Sequence, residues 1–181
     1  MSKNRFPAKR LAVDGVLVAL FFVLSLLSFE IAGIKVTFDA LAVVLAAMMF
    51  GPTDAFLVGL LGAFLEQLIH FGLTPTTVLW ILPPALRGVI VGLVLLVVAK
   101  KCKETYAVWF FVTCILAGLF VTVGNTAVFY VDAKMFGYYS YELIFGVLTL
   151  RFFVGIGISA VTAIAALPVA KALRRAGIGR G

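Results

Sequence analysis

Residues 64–87 read FLEQLIHFGLTPTTVLWILPPALR, and the fold turns on this stretch. An apolar run closes on Glu66, Gln67 and His70 and turns through Gly72, Thr74, Pro75, Thr76 and Thr77. It then enters a second apolar run carrying Trp80, Pro83, Pro84 and Arg87. Two apolar runs joined by a polar, proline-containing turn read as a helical hairpin in a membrane. A charged side chain at the centre of a lipid-facing span costs roughly 2.5–3.5 kcal/mol. Charge and a proline pair at this density therefore point away from lipid, and the hairpin reads as a wall around a small-molecule pocket.

The whole composition agrees with that setting. The chain has 181 residues, 64% hydrophobic and 13% charged, with a mean hydropathy of +1.18. Soluble domains average about 45–50% apolar and about 25% charged residues. A helix rising ~1.5 Å per residue needs about 20 apolar residues to cross a ~30 Å hydrocarbon core. The expectation is an all-α integral membrane bundle of six transmembrane helices, one domain over residues 1–181. The spans are placed at about Leu11–Phe29, Asp39–Phe50, Ala55–Phe71, Thr76–Ala99, Ala107–Val131 and Leu143–Ala170.

The net charge of +7 marks topology rather than a polyanionic partner. Lys3, Arg5, Lys9 and Arg10 precede the first span; Lys100, Lys101 and Lys103 share one connection; Lys171, Arg174, Arg175 and Arg180 close the chain. By the positive-inside rule these residues lie in the cytoplasm, and with them both termini. No cationic surface is left for nucleic acid. The basic start and the apolar run from Leu11 resemble a signal peptide, but the run is nearly span-length and lacks a small-x-small cleavage site, so it reads as retained. The protein is expected in a cell membrane, multi-pass, of prokaryotic plasma-membrane type. Cys102 and Cys114 have no metal-ligand spacing and read as reduced structural thiols.

Within the spans, Ala8, Ala12, Gly15 and Ala19 form a small-residue face on the first helix, suited either to packing in the bundle or to a partner helix. Residues 30–38, EIAGIKVTF, alternate apolar with polar and carry Glu30 and Lys35, as an outer flap or a loop would. Gly51-Pro52-Thr53-Asp54 is a turn that helix breaking and N-capping by Thr53 or Asp54 explain. In the third span Gly59, Gly62, Glu66 and His70 share one face, a profile expected beside a cavity. Pro83 and Pro84 free backbone carbonyls at membrane depth, which is tolerated where they line a cavity or meet protein. Gly88-x-x-x-Gly92 offers a close-packing face. Gly118, Thr122, Asn125 and Phe129 align in the fifth span; Arg151, Gly155, Ser159 and Thr162 align in the sixth.

Glu66, Gln67, His70, Trp80, Arg87, Asn125 and Arg151 all fall in the outer halves of their spans, the arrangement of an outward-opening binding site. A structural ion pair of Glu66 with Arg87 or Arg151 is the plainer reading, and Trp80 also fits an interfacial aromatic belt. Catalytic motifs are missing: there is no Gly-x-Ser-x-Gly, no His-Glu-x-x-His and no phosphate-binding Gly-x-x-x-x-Gly-Lys-[Ser/Thr]. The expectation is a non-enzyme with no cofactor and no metal. If it concentrates a solute, an ion gradient or a partner supplies the energy.

The run VLAAMMFGPTDAFLVGLLGAF (44–64) followed by GLTPTTVLWILPPALRGVIVGL (72–93) is similar to the substrate-binding (S) components of energy-coupling factor (ECF) vitamin transporters, most of all their folate family. The small-xxx-small motif of the first span, followed by Leu20 to Leu24, belongs to the same likeness, which covers nearly the whole chain. The resemblance implies a six-helix subunit that captures a vitamin from outside, with a membrane coupling subunit and two ATPase subunits driving transport. It implies that the face of Ala12, Gly15 and Ala19 contacts the coupling subunit, with glycine standing where the family has alanine. It also implies that the segment with Glu30 and Lys35 acts as a gate, and that the subunit topples in the membrane to release substrate. Two other readings stay open: a stand-alone ion-coupled carrier using Glu66 and His70 as proton sites, and a membrane enzyme.

Overall fold

The computed structural model describes residues 8–31, 34–101 and 105–178. Cys102, Lys103, Lys3, Arg5 and Arg180, together with Ala32 and Gly33 of the expected gate, lie outside the described residues. The chain runs α1 (Ala8–Leu26), β1 (Phe29–Ile31), β2 (Ile34–Val36), α2 (Ala40–Met49), α3 (Pro52–Phe71), α4 (Thr77–Lys101), α5 (Tyr106–Phe136), a π-helical turn (Glu142–Gly146) and α6 (Leu148–Arg175). The fold is a six-helix bundle. Helices α3, α4, α5 and α6 are long and apolar enough to cross a membrane.

The other two helices depart from a simple span. α1 carries Lys9, Arg10 and Asp14 within its first two turns. α2 has only 10 residues, about 15 Å of helix, or half the hydrocarbon thickness. Its sequence ALAVVLAAMM is apolar on every side because every side is covered: Ala42 through Ala47 are all buried. α1, α3, α4 and α6 all pack against α2, while α5 lies between α4 and α6.

The segment between the first two helices is an antiparallel two-stranded hairpin in which Phe29 pairs with Val36, Glu30 with Lys35 and Ile31 with Ile34. The alternation read in the sequence is thus a strand signal, and Val36 is its buried face.

Close helix packing rests on glycine. A Cβ on Gly59 would stand 2.7 Å from the Pro84 carbonyl oxygen, and one on Gly62 would stand 2.4 Å from the Phe21 ring. Gly88 and Gly92 receive the backbone of Ala55 and Pro52, each at 2.5 Å. The Gly59–Gly62 face expected beside a cavity is therefore spent on α4 and α1.

The turn between α2 and α3 also differs from its expected form. Gly51, at φ 99°, takes the cap position with no side-chain capping bond, and Pro52 opens the helix. Asp54 caps nothing: it is fully buried and bound by Arg10 through both carboxylate oxygens. Arg10 also reaches the Phe50 carbonyl at 3.4 Å and lies 5.6 Å from the Phe50 ring centroid. This clamp supplies the positive charge that the turn's own sequence lacks.

Lys9 donates to the Gly177 carbonyl at 2.9 Å, so the start of α1 and the segment after α6 meet at one end of the bundle. That end is cytoplasmic by the charge rule, and the strand hairpin marks the outer one.

Candidate functional site

At the outer end a cavity of about 370 Å³ opens between β2, the start of α2, Phe71 at the end of α3, and helices α4, α5 and α6. Its depth is set by two reciprocal contacts between α5 and α6. A Cβ on Gly118 would stand 1.8 Å from the Ser159 hydroxyl, and one on Gly155 would stand 2.5 Å from the Thr122 hydroxyl. Each hydroxyl is turned back to a carbonyl of its own helix, Ser159 to Gly155 at 2.7 Å and Thr122 to Gly118 at 3.0 Å. Helical hydroxyls satisfied in this way can sit at an apolar floor without an unpaired donor.

Four of the sequence-predicted residues come together on the cavity wall: Trp80, Arg87, Asn125 and Arg151. Lys35, expected in the gate, lines it as well, with Ile34, Thr37 and Asp39. Glu66, Gln67 and His70 do not line it. Glu66 accepts an ion-paired hydrogen bond from Lys35 at 2.6 Å, so it pairs with neither Arg87 nor Arg151. His70 is exposed, and its Nδ1 lies 3.2 Å from the Glu66 carbonyl one turn back. Gln67 is half-buried outside the lining. The last turn of α3 meets the hairpin through the Lys35–Glu66 bond and reaches the cavity with Phe71 instead. Glu30 is exposed opposite Lys35 in the strand register.

The site residue missed in the sequence is Asp39. Its Oδ1 stands 3.9 Å from Nη1 of Arg87, whose Nε is buried without a hydrogen-bond partner. The signal was present, because Asp39 is a carboxylate at the outer boundary of a wholly apolar helix and needs a cationic partner. Phe129, noted only as part of a helical face, lies beneath the guanidinium of Arg151, 5.0 Å from carbon to ring centroid. Arg151 otherwise makes a 3.5 Å contact with the Leu143 carbonyl.

The charges around the cavity therefore divide unequally. Lys35 faces Glu66 and Arg87 faces Asp39, whereas Arg151 has no carboxylate partner among the described residues. A guanidinium on an aromatic face, the amide of Asn125 and the indole of Trp80 can together receive a planar ligand with an anionic group.

Trp80 is held in place from outside. Asp132 accepts from Thr76 at 2.5 Å, from the Trp80 indole at 3.4 Å, and from the Tyr138 hydroxyl. Trp80, Phe129 and Tyr138 are in turn linked by ring contacts of 6.4 and 6.2 Å. Burial, together with the hydrogen bond to Asp132, pushes the Tyr138 hydroxyl up to about 12, so it remains a proton donor at physiological pH.

Along the first half of α1, Ala12, Gly15 and Ala19 are all exposed, and a Cβ on Gly15 would meet nothing within 4 Å. The small face of α1 is therefore not used within the bundle. Asp14, beside it, is buried with Oδ1 unpartnered.

A multi-pass helical bundle with an outward cavity under a strand hairpin is the architecture of a membrane solute-binding subunit. Residues 9–172 match the family described as ECF transporter, substrate-specific component. The chain belongs to that family. It is similar in fold to a solved structure titled "Structure and mechanism of the S component of a bacterial ECF transporter", with a TM-score of 0.66 and 22% identity over 92% of this chain and 98% of that one. A comparison with curated protein sequences gave no match.

Proposed function

We propose that this S component captures a folate-like vitamin from outside the cell and hands it on through a membrane coupling subunit driven by two ATPase subunits. The observation that carries this reading is the cavity itself, with the Arg151 guanidinium, which has no carboxylate partner among the described residues, over Phe129 and with Asn125 and Trp80 beside it. A volume of about 370 Å³ lies within the ~300–1,000 Å³ of sites that enclose drug-sized ligands. A pterin would stack on the aromatic wall and exchange hydrogen bonds with Asn125, while a glutamate carboxylate would take Arg151 bidentately. The role is binding rather than catalysis. The exposed Ala12, Gly15 and Ala19 face supports docking of the coupling subunit, and the Glu30–Lys35 hairpin supports a gate. Nothing at Glu66 or His70 favours a proton-coupled carrier, since one is engaged by Lys35 and the other makes only a local contact.

Calorimetric titration of the purified protein with folate tests the site. Arg151→Ala is expected to weaken binding by about 30-fold or more, because truncating one partner of a buried charge pair costs roughly 2–5 kcal/mol. Lys134→Ala is expected to leave affinity unchanged, since Lys134 lies outside the cavity over the rings of Tyr130 and Tyr139. Equal effects of the two substitutions would refute the assignment.

A further inference from the structure

A second concavity lies at the opposite end of the bundle. It is a groove of about 560 Å³ between the end of α2, the start of α5 and the end of α6. Its floor is apolar, built by Met48, Leu167 and Pro168, with Tyr106 at one side. Its rim carries three cations, Lys171, Arg174 and Arg175, which helical spacing places over less than one and a half turns of α6. Among the described residues, none of the three is in an ion pair and no carboxylate lines the groove.

The positive-inside rule accounts for the number of these charges but not for their arrangement around a cleft. Arg174 is tied down by a 2.8 Å hydrogen bond to the Met48 carbonyl, which fixes its guanidinium at the edge of the groove. α6 has 28 residues, or about 42 Å of helix, so its last turns outrun a ~30 Å hydrocarbon core and reach headgroup depth. A cationic rim at that depth above an apolar floor complements a phosphate joined to an acyl chain. A soluble anion would satisfy the rim and leave the floor empty.

We infer that this groove binds one anionic phospholipid of the cytoplasmic leaflet, its phosphate on Lys171, Arg174 and Arg175 and an acyl chain along Met48, Leu167 and Pro168. The site is independent of the vitamin cavity and of what that cavity takes.

Native mass spectrometry of the full chain in detergent, titrated with dioleoylphosphatidylglycerol or dioleoylphosphatidylcholine, tests it. One phosphatidylglycerol per chain is expected, preferred over phosphatidylcholine on the order of tenfold, as a few cations near an anionic headgroup provide. The double variant Lys171→Gln/Arg175→Gln leaves the Arg174–Met48 bond in place and is expected to abolish the preference. Arg175→Gln alone is expected to reduce it, and Lys134→Gln at the outer end to keep it. Equal retention of the two lipids, an undiminished preference in both groove variants, or displacement of phosphatidylglycerol by millimolar inorganic phosphate would overturn the inference.

Discussion

Asp54 has no solvent exposure, and its charge is tolerable because Arg10 binds both carboxylate oxygens. Removing one partner of such a pair strands the other, at a cost of roughly 3–5 kcal/mol. Arg10→Gln is therefore expected to lower the melting temperature sharply in detergent, while ligand affinity per folded molecule stays unchanged. The Lys35–Glu66 pair is a weaker contact, with 35% of the lysine side chain and 14% of the glutamate side chain exposed. Pairs of this kind contribute about 0.2–1 kcal/mol. Because Glu66 lies outside the cavity, Glu66→Gln is expected to speed ligand release by roughly two- to fivefold in stopped-flow, through loosening of the hairpin. High salt should reproduce part of that effect in the unmodified protein, and an unchanged release rate would show that the pair does not hold the gate. At this scale the sequence announced that Glu66, Arg87 and Arg151 needed partners. It did not announce which partners, since Lys35 lies 31 residues from Glu66 and reaches it only once the hairpin has formed.

Helix–helix spacing is decided by glycine at some positions and is indifferent to it at others. A Cβ at Gly92 would meet the Pro52 backbone, which cannot rotate away, whereas a Cβ at Gly157 meets nothing. Gly92→Ala is expected to destabilise by about 1–3 kcal/mol, and Gly157→Ala to be neutral or stabilising by about 0.5 kcal/mol. Thermal melting of the two variants side by side checks the contrast. The Gly88–Gly92 spacing was readable as a packing face, and it is one. Gly59 and Gly62 have the same kind of spacing but lead to two polar side chains, so a cavity and a packing face look alike in sequence. What separates them is the ring of Phe21 and the carbonyl of Pro84, supplied by other helices. The strand hairpin was similarly half legible: its alternation was visible in the EIAGIKVTF segment, but three-residue strands are too short to declare themselves against a loop.

As a whole the molecule has a cavity at its outer end and an exposed small-residue face on α1. Hydropathy and the positions of the basic residues were enough to predict a six-helix bundle in which the start of the first helix and the end of the last share one end, as Lys9 and Gly177 do. The exceptions are α1, with three charged residues in its first two turns, and the ten-residue α2, most of whose residues are buried. A leucine at Gly15 projects into open space and also relieves a helix of a residue costing about 1 kcal/mol. Gly15→Leu is therefore expected to retain folding and ligand binding while abolishing uptake in cells or vesicles that hold the complete transporter; loss of binding in folded protein would contradict a docking role for that face. On the proposed function, the outer cavity captures a planar, anionic vitamin through Arg151. Mass spectrometry of the small molecules released on denaturing the purified protein tests it most directly. A near-stoichiometric heteroaromatic carboxylate, folate-like in mass, is expected from the unmodified protein and is expected to be absent from Arg151→Ala. No released molecule from the unmodified protein, or an equal yield from both, would contradict it.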